Sequence, residues 1–273
     1  SILIIKMYIS LLFYFLIIFV ITLFLFHSIR AKKIFLDDDF NKPQSVHSYP
    51  IPSILGITFI FIIFYFYFFD WDYSIFIIFL ISFSVSLVGF FEDINFNIHP
   101  KQRLLLQLII LFLFMGSNDI FIIKDFTFFN MSNPNSYYGL FNACISVILL
   151  LALINAINFI DGQNGLVLLY FIIIITFYLI SYQTNYLNIF ILLLVHLFVF
   201  LLFNFPIARC FLGDSGSYFL ATFVGLLFIL DNNTNYENAY SKWFIANLLA
   251  YPVAETSISI LRRIKNLKSP FFP

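Results

Sequence analysis

The sequence predicts an all-α integral membrane protein, built as a polytopic helical bundle. Three observations carry this. Apolar residues make up 62% of the 273 positions and charged residues only 10%, where a soluble globular domain carries roughly 25% charged residues. The apolar positions gather into long runs, many near the ~20 residues that a helix needs to cross the hydrocarbon core. The basic residues concentrate in alternate connections between those runs.

In order, the runs are 7–26, 51–69, 73–91, 103–117, 139–154, 165–181, 187–205, 217–230 and 243–261. The first is long enough to span, so it reads as a retained helix and not as a cleaved leader. The runs 103–117 and 217–230 are short and are expected to extend into their flanks. The longest non-apolar segments are 27–50 and 118–138. No solenoid repeat or soluble domain interrupts the series, and residues 1–273 read as one transmembrane domain.

Nine spans place alternate connections on opposite sides. One set comprises 27–50, 92–102, 155–164, 206–216 and 262–273. With Arg103 at its border it holds eleven of the fourteen basic residues; Lys6, Lys124 and Lys242 fall on the other side. The positive-inside rule puts the rich set in the cytoplasm and the N-terminus outside. Basic and acidic residues are equal in number, 14 each, so net charge points to no particular partner, and nucleic acid is not expected as one. Cys144 and Cys210 show no paired spacing, which predicts neither a disulfide nor a thiolate metal site.

Three polar motifs lie at the cytoplasmic ends of spans. The first is Gly89-Phe-Phe-Glu92-Asp93, followed by Lys101-Gln-Arg103 and Gln107. Adjacent carboxylates at the end of an apolar helix are costly without a compensating cation, and Mg²⁺ takes one or two carboxylates together with substrate phosphates. A plain acidic helix end in the headgroup zone is the competing reading. The second is Asn155-Ala-Ile-Asn158-Phe-Ile-Asp161-Gly-Gln-Asn164-Gly. Its spacing of three puts Asn155, Asn158 and Asp161 on one helical face, and Gly162 and Gly165 then break the helix. Amides and a carboxylate on one stripe suit ribose hydroxyls, a base edge and a metal. The third is Phe211-Leu-Gly213-Asp214-Ser-Gly216-Ser217 before an apolar helix. Backbone N–H groups at a helix start favour phosphate, with Asp214 as a metal ligand among them; a serine N-cap after a tight turn is the simpler alternative.

Other ionisable residues read differently. Asp70, Asp72, Asp119, Asp125, Asp231 and Glu237 lie in the outer connections, without glycine context, and are expected on a solvated face. His196 falls in mid-span and reads as an ordinary interhelical residue. Glu255 lies within the last run, where an acid is a functional candidate by default unless Arg262 or Thr256 pairs with it. A transporter would line a path with such mid-membrane groups; here the acids lie at one face instead.

These motifs together resemble the polyprenyl-phosphate N-acetylhexosamine-1-phosphate transferases. Asn155 to Gly162 looks like the third-loop motif of that family, and Phe211 to Ser217 like its fourth-loop motif. Pro43 and His47 match the first-loop pattern. Gly89 to Gln107 is similar to the acidic motif of the GlcNAc and FucNAc branches, and Arg262-Arg263 with Ser269-Pro270-Phe271 resembles the approach to the last catalytic loop. The resemblance covers about 30 to 273. It implies transfer of a sugar-1-phosphate from a UDP-N-acetylhexosamine to undecaprenyl phosphate, in the bacterial inner membrane with the site cytoplasmic. The MurNAc-pentapeptide branch is the alternative, and a homodimer is left open. By resemblance Asp214 is the Mg²⁺ (or Mn²⁺) ligand, and Asp93 and Glu92 are acids near the lipid phosphate and metal. Asn155, Asn158, Asp161 and Asn204 face the nucleotide sugar, with Asp161 also counted among the catalytic acids. Phe211 stacks on uracil, and Arg262 or Arg263 meets the diphosphate. His47 is a candidate in the lipid-side loop.

Three departures qualify the match. Glu92 stands where an Asp is usual, and Asn164 where a second Asp is common. No His-rich motif or tenth span follows Ser269-Pro270, so the sequence is expected to be a truncated one.

Overall fold

A computed structural model describes residues 2–32, 36–37, 51–53, 55–69, 72–94, 96, 98–116, 118–123, 136–162, 164–234 and 242–267. They form ten α-helices: α1 (Ile2–Lys32), α2 (Ile60–Phe69), α3 (Tyr73–Asp93), α4 (Pro100–Gly116), α5 (Ser136–Ile160), α6 (Leu166–Ser181), α7 (Leu187–Asn204), α8 (Gly213–Thr234), α9 (Lys242–Leu248) and α10 (Ala250–Lys265). A two-residue ladder pairs β1 (Leu36–Asp37) with β2 (Ile51–Pro52) antiparallel. Five described helices are long and apolar enough to cross a membrane: segments Ile9–Ile29, Tyr73–Asp93, Gly139–Ile160, Leu187–Asn204 and Gly213–Thr234. The apolar α6 is shorter. The protein is an all-α, multi-pass membrane protein.

Side-chain placement follows from a solvent that is itself apolar. On α1, Ile9, Leu12, Phe13, Leu16, Val20 and Phe24 are all exposed. They recur at helical spacing on one face, while Tyr14, Ile18 and Thr22 are buried on the other. An exposed apolar stripe of this length fits a face turned to lipid. Several serine and threonine hydroxyls within spans are satisfied by their own helix, as backbone groups must be in lipid. Ser82 donates to Ile78 O at 2.8 Å and Thr222 to Tyr218 O at 2.7 Å.

Helix α8 is the centre of the bundle. Its side chains are buried almost without interruption from Ser215 to Leu230, the pattern of a helix surrounded by others. It packs most extensively on α3 and then on α5. The α3 contact is close because of Gly89: a Cβ there would lie 2.5 Å from the Asp214 carbonyl carbon and 2.6 Å from Ser215 N. The backbone at the end of α3 therefore lies directly against the first turn of α8.

Two expected spans take other forms. The run 51–69 starts as β2, passes through a 3-10 turn (Leu55–Phe59) and ends as α2. Its first residues are held by the connection before α8: Phe211 N–H donates to Pro52 O at 2.8 Å and Gly56 N–H to Leu212 O at 3.2 Å. The 3-10 turn and α2 together rise about 25 Å. The run 243–261 divides at Leu249 into α9 and α10. Pro252 is the third residue of α10, and a proline without N–H is accommodated in a first helical turn, not in mid-helix.

His196 is interhelical, as expected. Its Nδ1 lies 2.6 Å from the Tyr14 hydroxyl and its Nε2 3.2 Å from Thr58 Oγ1, and its ring stacks on Phe59. Asp231 corrects the expectation of a solvated outer face. It is fully buried, and its Oδ2 accepts from Tyr178 O–H at 2.6 Å. Beside it, Asn233 Nδ2 donates to Ile120 O and Ile122 O at 2.7 and 2.8 Å. The end of α8 far from Asp214 is thus polar but packed inside. Asp72, from the same outer group, caps α3 by accepting from Ser74 N–H at 2.7 Å.

The Gly89 contact predicts a contrast. Gly89→Ala should lower stability by about 1–3 kcal/mol, the cost of overpacking. Gly139→Ala, where nothing lies within 4 Å of the new Cβ, should be neutral or slightly stabilising. Thermal unfolding of both variants in detergent tests this; equal behaviour would remove the packing argument.

Candidate active site

Among the described residues, the connections expected on one side converge. At their centre the end of α3 meets the start of α8. The first N–H groups of any helix lack partners within it. For α8 these are supplied by Asp93: its Oδ1 accepts from Asp214 N–H at 2.9 Å, and its Oδ2 from Ser215 N–H at 3.0 Å and Ser215 O–H at 2.6 Å. The carboxylate caps a helix 120 residues further along the chain. Gly213 permits the approach. It is left-handed, at φ +78, and a Cβ on it would stand 2.9 Å from Asp93 Oδ2.

Around this junction negative charge accumulates. Arg103, near the start of α4, donates from Nη1 to Asp214 Oδ2 at 3.0 Å and lies 3.6 Å from Glu92 Oε1. The second oxygen of Glu92 is buried with no hydrogen-bond partner. Asp161 follows the end of α5. Burial, and next the charges of Asp214 and Asp93, hold its carboxyl well above the usual carboxylate range.

The donor chemistry fits a hard divalent cation. The acids offer oxygen only, and one buried Glu92 oxygen is unused. Among the described residues, no three His, Cys, Asp or Glu side chains converge into a protein-only cage. Mg²⁺ commonly binds through one or two carboxylates and completes its shell with water and substrate phosphates. Asp214 and Glu92, which lie 3.0 and 3.6 Å from Arg103 Nη1, are the carboxylates that could hold such a cation.

One turn further into the membrane lies a neutral polar layer. Asn155 Nδ2 donates to Gln107 Oε1 at 2.9 Å and to Leu151 O at 2.8 Å. The buried Tyr218 hydroxyl lies near Gln107 and Asn158, and neither it nor Gln107 Nε2 has a hydrogen-bond partner. Asn155, Asn158 and Asp161 therefore share the face toward α4 and α8, as their spacing predicts.

The remaining candidates divide. Asn204 is 6% exposed, and both ends of its amide are engaged: Oδ1 accepts from Gly165 N–H, and Nδ2 donates to Cys210 O at 2.7 Å. In this structure it fastens the 161–165 connection to the 205–212 connection. Phe211 is half-buried beside Ser53. Arg263 places its guanidinium 5.5 Å from the Phe159 ring centroid, bringing the end of α10 to the end of α5, whereas Arg262 is exposed. Glu255 is also exposed. His47 and Ser269-Pro270-Phe271 lie outside the described residues.

Sequence reasoning assigned no role to Arg103 or Tyr218. Their signal was helical spacing: Arg103 stands four residues before Gln107, and Tyr218 four after Asp214, so each pair shares a face. A stability prediction follows from Asn204. Asn204→Ala strands a buried N–H at Gly165 and a carbonyl at Cys210, and should cost about 1–3 kcal/mol in thermal unfolding without added ligand. An unchanged midpoint would show that the tie is dispensable.

Comparison with known proteins identifies the family. Residues 75–231 match the family described as glycosyl transferase family 4. The chain is 25% identical over 189 residues to the probable undecaprenyl-phosphate N-acetylglucosaminyl 1-phosphate transferase of Bacillus subtilis (strain 168), covering 68% of this chain and 51% of that protein. It is 30% identical over 142 residues to the phospho-N-acetylmuramoyl-pentapeptide-transferase of Streptococcus pneumoniae (strain CGSP14), covering 48% and 42%. The chain thus spans about half the length of the curated relatives it matches. The matched segment contains all three motifs, from Glu92 through Asn155 to Asp214, and the chain belongs to glycosyl transferase family 4.

Proposed function

We propose that this protein transfers a sugar-1-phosphate from a UDP-sugar to a polyprenyl phosphate, with its active site at the cytoplasmic membrane surface. The observation that carries the reading is the junction of Asp93, Glu92, Arg103, Asp161 and Asp214 at one end of a membrane-spanning bundle. A soluble nucleotide and a lipid headgroup can meet only at such an end. The eleven-to-three basic asymmetry of the sequence favours the cytoplasmic side.

The reaction forms one P–O bond and breaks another. An oxygen of the lipid phosphate attacks the sugar-bearing phosphorus, the bridging P–O bond to UMP breaks, and UMP leaves with that bond pair. A phosphate monoester has its second pKa near ~6, so the nucleophile is largely ionised at neutral pH and a base is not essential. Phosphoryl transfer asks mainly for positioning and charge neutralisation. A divalent cation, Mg²⁺ or Mn²⁺, supplies that neutralisation when bound. Asp214 and Glu92 would hold it. Arg103 adds a fixed positive charge, 3.0 Å from Asp214. Asn155 and Asn158 offer amides along the face of α5 that leads away from the acids. Phe211 and Arg263 border the same end as candidates for the base and the diphosphate.

The donor is an N-acetylhexosamine nucleotide such as UDP-GlcNAc, which the acidic-motif style and the Bacillus relative favour. The pneumococcal relative supports UDP-MurNAc-pentapeptide as the second reading. Membranes containing the full-length protein, undecaprenyl phosphate and Mg²⁺ distinguish the two by UMP release with each donor. Release is expected with UDP-GlcNAc and not with the pentapeptide; the reverse result selects the second reading. Asp214→Asn should lower the rate by about 10²-fold or more, and chelation by EDTA should abolish it. Undiminished turnover in Asp214→Asn overturns the metal assignment.

A further inference from the structure

We infer that Asp93 is a positioning residue, which acts by holding Asp214 and not by meeting substrate or cation. The inference rests on the proposed role of Asp214 as a metal ligand. Asp93 and Glu92 are adjacent in sequence, but successive helix residues point about 100° apart. The two carboxylates therefore face different surroundings, and the structure shows how different.

Both Asp93 oxygens are used by α8. Three donors reach them, at 2.9, 3.0 and 2.6 Å. Gly213 covers the carboxylate further, close enough that a Cβ would lie 2.9 and 3.1 Å from its two oxygens. Glu92 is the opposite case: one oxygen lies 3.6 Å from Arg103 and the other is buried without a partner. The pair divides the work. Glu92 faces the ligand side, and Asp93 fixes the backbone from which Asp214 projects.

Fixing that backbone matters for affinity. A metal-binding carboxylate whose main chain is free to fray must be ordered again each time it binds. Partners that orient ligands in this way are typically worth about 10–100-fold in metal affinity. Asp93→Asn keeps the shape of the side chain but turns one acceptor into an N–H₂ group facing N–H and O–H donors. Ser215→Ala removes only the 2.6 Å bond and leaves both backbone donors.

The test is Mn²⁺ binding by electron paramagnetic resonance, on the full-length protein in detergent without substrate. Asp93→Asn should weaken Mn²⁺ about 10–100-fold, and Ser215→Ala about 3–10-fold. The double variant should be no weaker than Asp93→Asn alone, because both changes cut the same connection. Thermal unfolding of each variant shows whether it is folded. A direct ligand role for Asp93 predicts instead that Ser215→Ala binds Mn²⁺ as the wild type does, and that result overturns the inference. So does a folded Asp93→Asn protein with wild-type Mn²⁺ affinity, which would leave the cap a purely structural one. If the wild type itself has no Asp214-dependent Mn²⁺ site, the metal reading of the proposed function falls and this inference with it.

Discussion

A helix that starts at a membrane surface brings with it a set of N–H groups that need acceptors. In α8 those groups meet the carboxylate of Asp93, at the end of α3. A negative charge at a helix N-terminus is favourable in its own right, and here it also ties the helix at the centre of the bundle to its most extensive neighbour. Gly89 allows the two backbones to come close enough for the bond to form. The position of Asp214 is thus set by core packing and not by the conformation of a surface loop. Sites carried by rigid elements hold their geometry better than sites carried by loops.

The same junction concentrates acids that would repel one another if left alone. Arg103 offsets part of that charge from α4. Each acid then has a distinct environment: Asp93 is hydrogen-bonded to backbone, Asp214 to a guanidinium, and Glu92 keeps one oxygen unpartnered. The neutral layer of Asn155, Gln107 and Tyr218 lies beneath. Charge sits at the interface and neutral hydrogen-bonding groups sit deeper, the order that the energetics of burying charge in lipid require.

Much of this was legible in the sequence, because hydropathy reports on a solvent that imposes a helix on each span. The helices α3, α4, α6 and α7 coincide closely with apolar runs, whereas α5 continues to Ile160, through residues expected in a connection. Where the sequence misled, tertiary partners had intervened. The run 51–69 reads as a uniform span, yet the backbone of Phe211 draws its first residues into extended pairing. Asp231 looked like a solvated acid because nothing local marks Tyr178 as its partner, 53 positions away. In the site, the spacing of Asn155, Asn158 and Asp161 was readable because one helix carries all three. The cap on α8 was not: a serine in the third motif suggested a local cap, and the acceptor came from another helix. The division between Glu92 and Asp93 is of the same kind, since adjacency in sequence conceals the 100° between side chains.

The amide of Asn204 joins the connection after α5 to the connection before α8. One side chain thereby sets a common frame for two segments that otherwise belong to separate helix pairs. Their lengths are coupled: a residue inserted between Asn204 and Cys210, or between Asp161 and Gly165, shifts one end of the tie out of register with the other. A side-chain substitution on these segments leaves the tie in place, whereas an insertion does not.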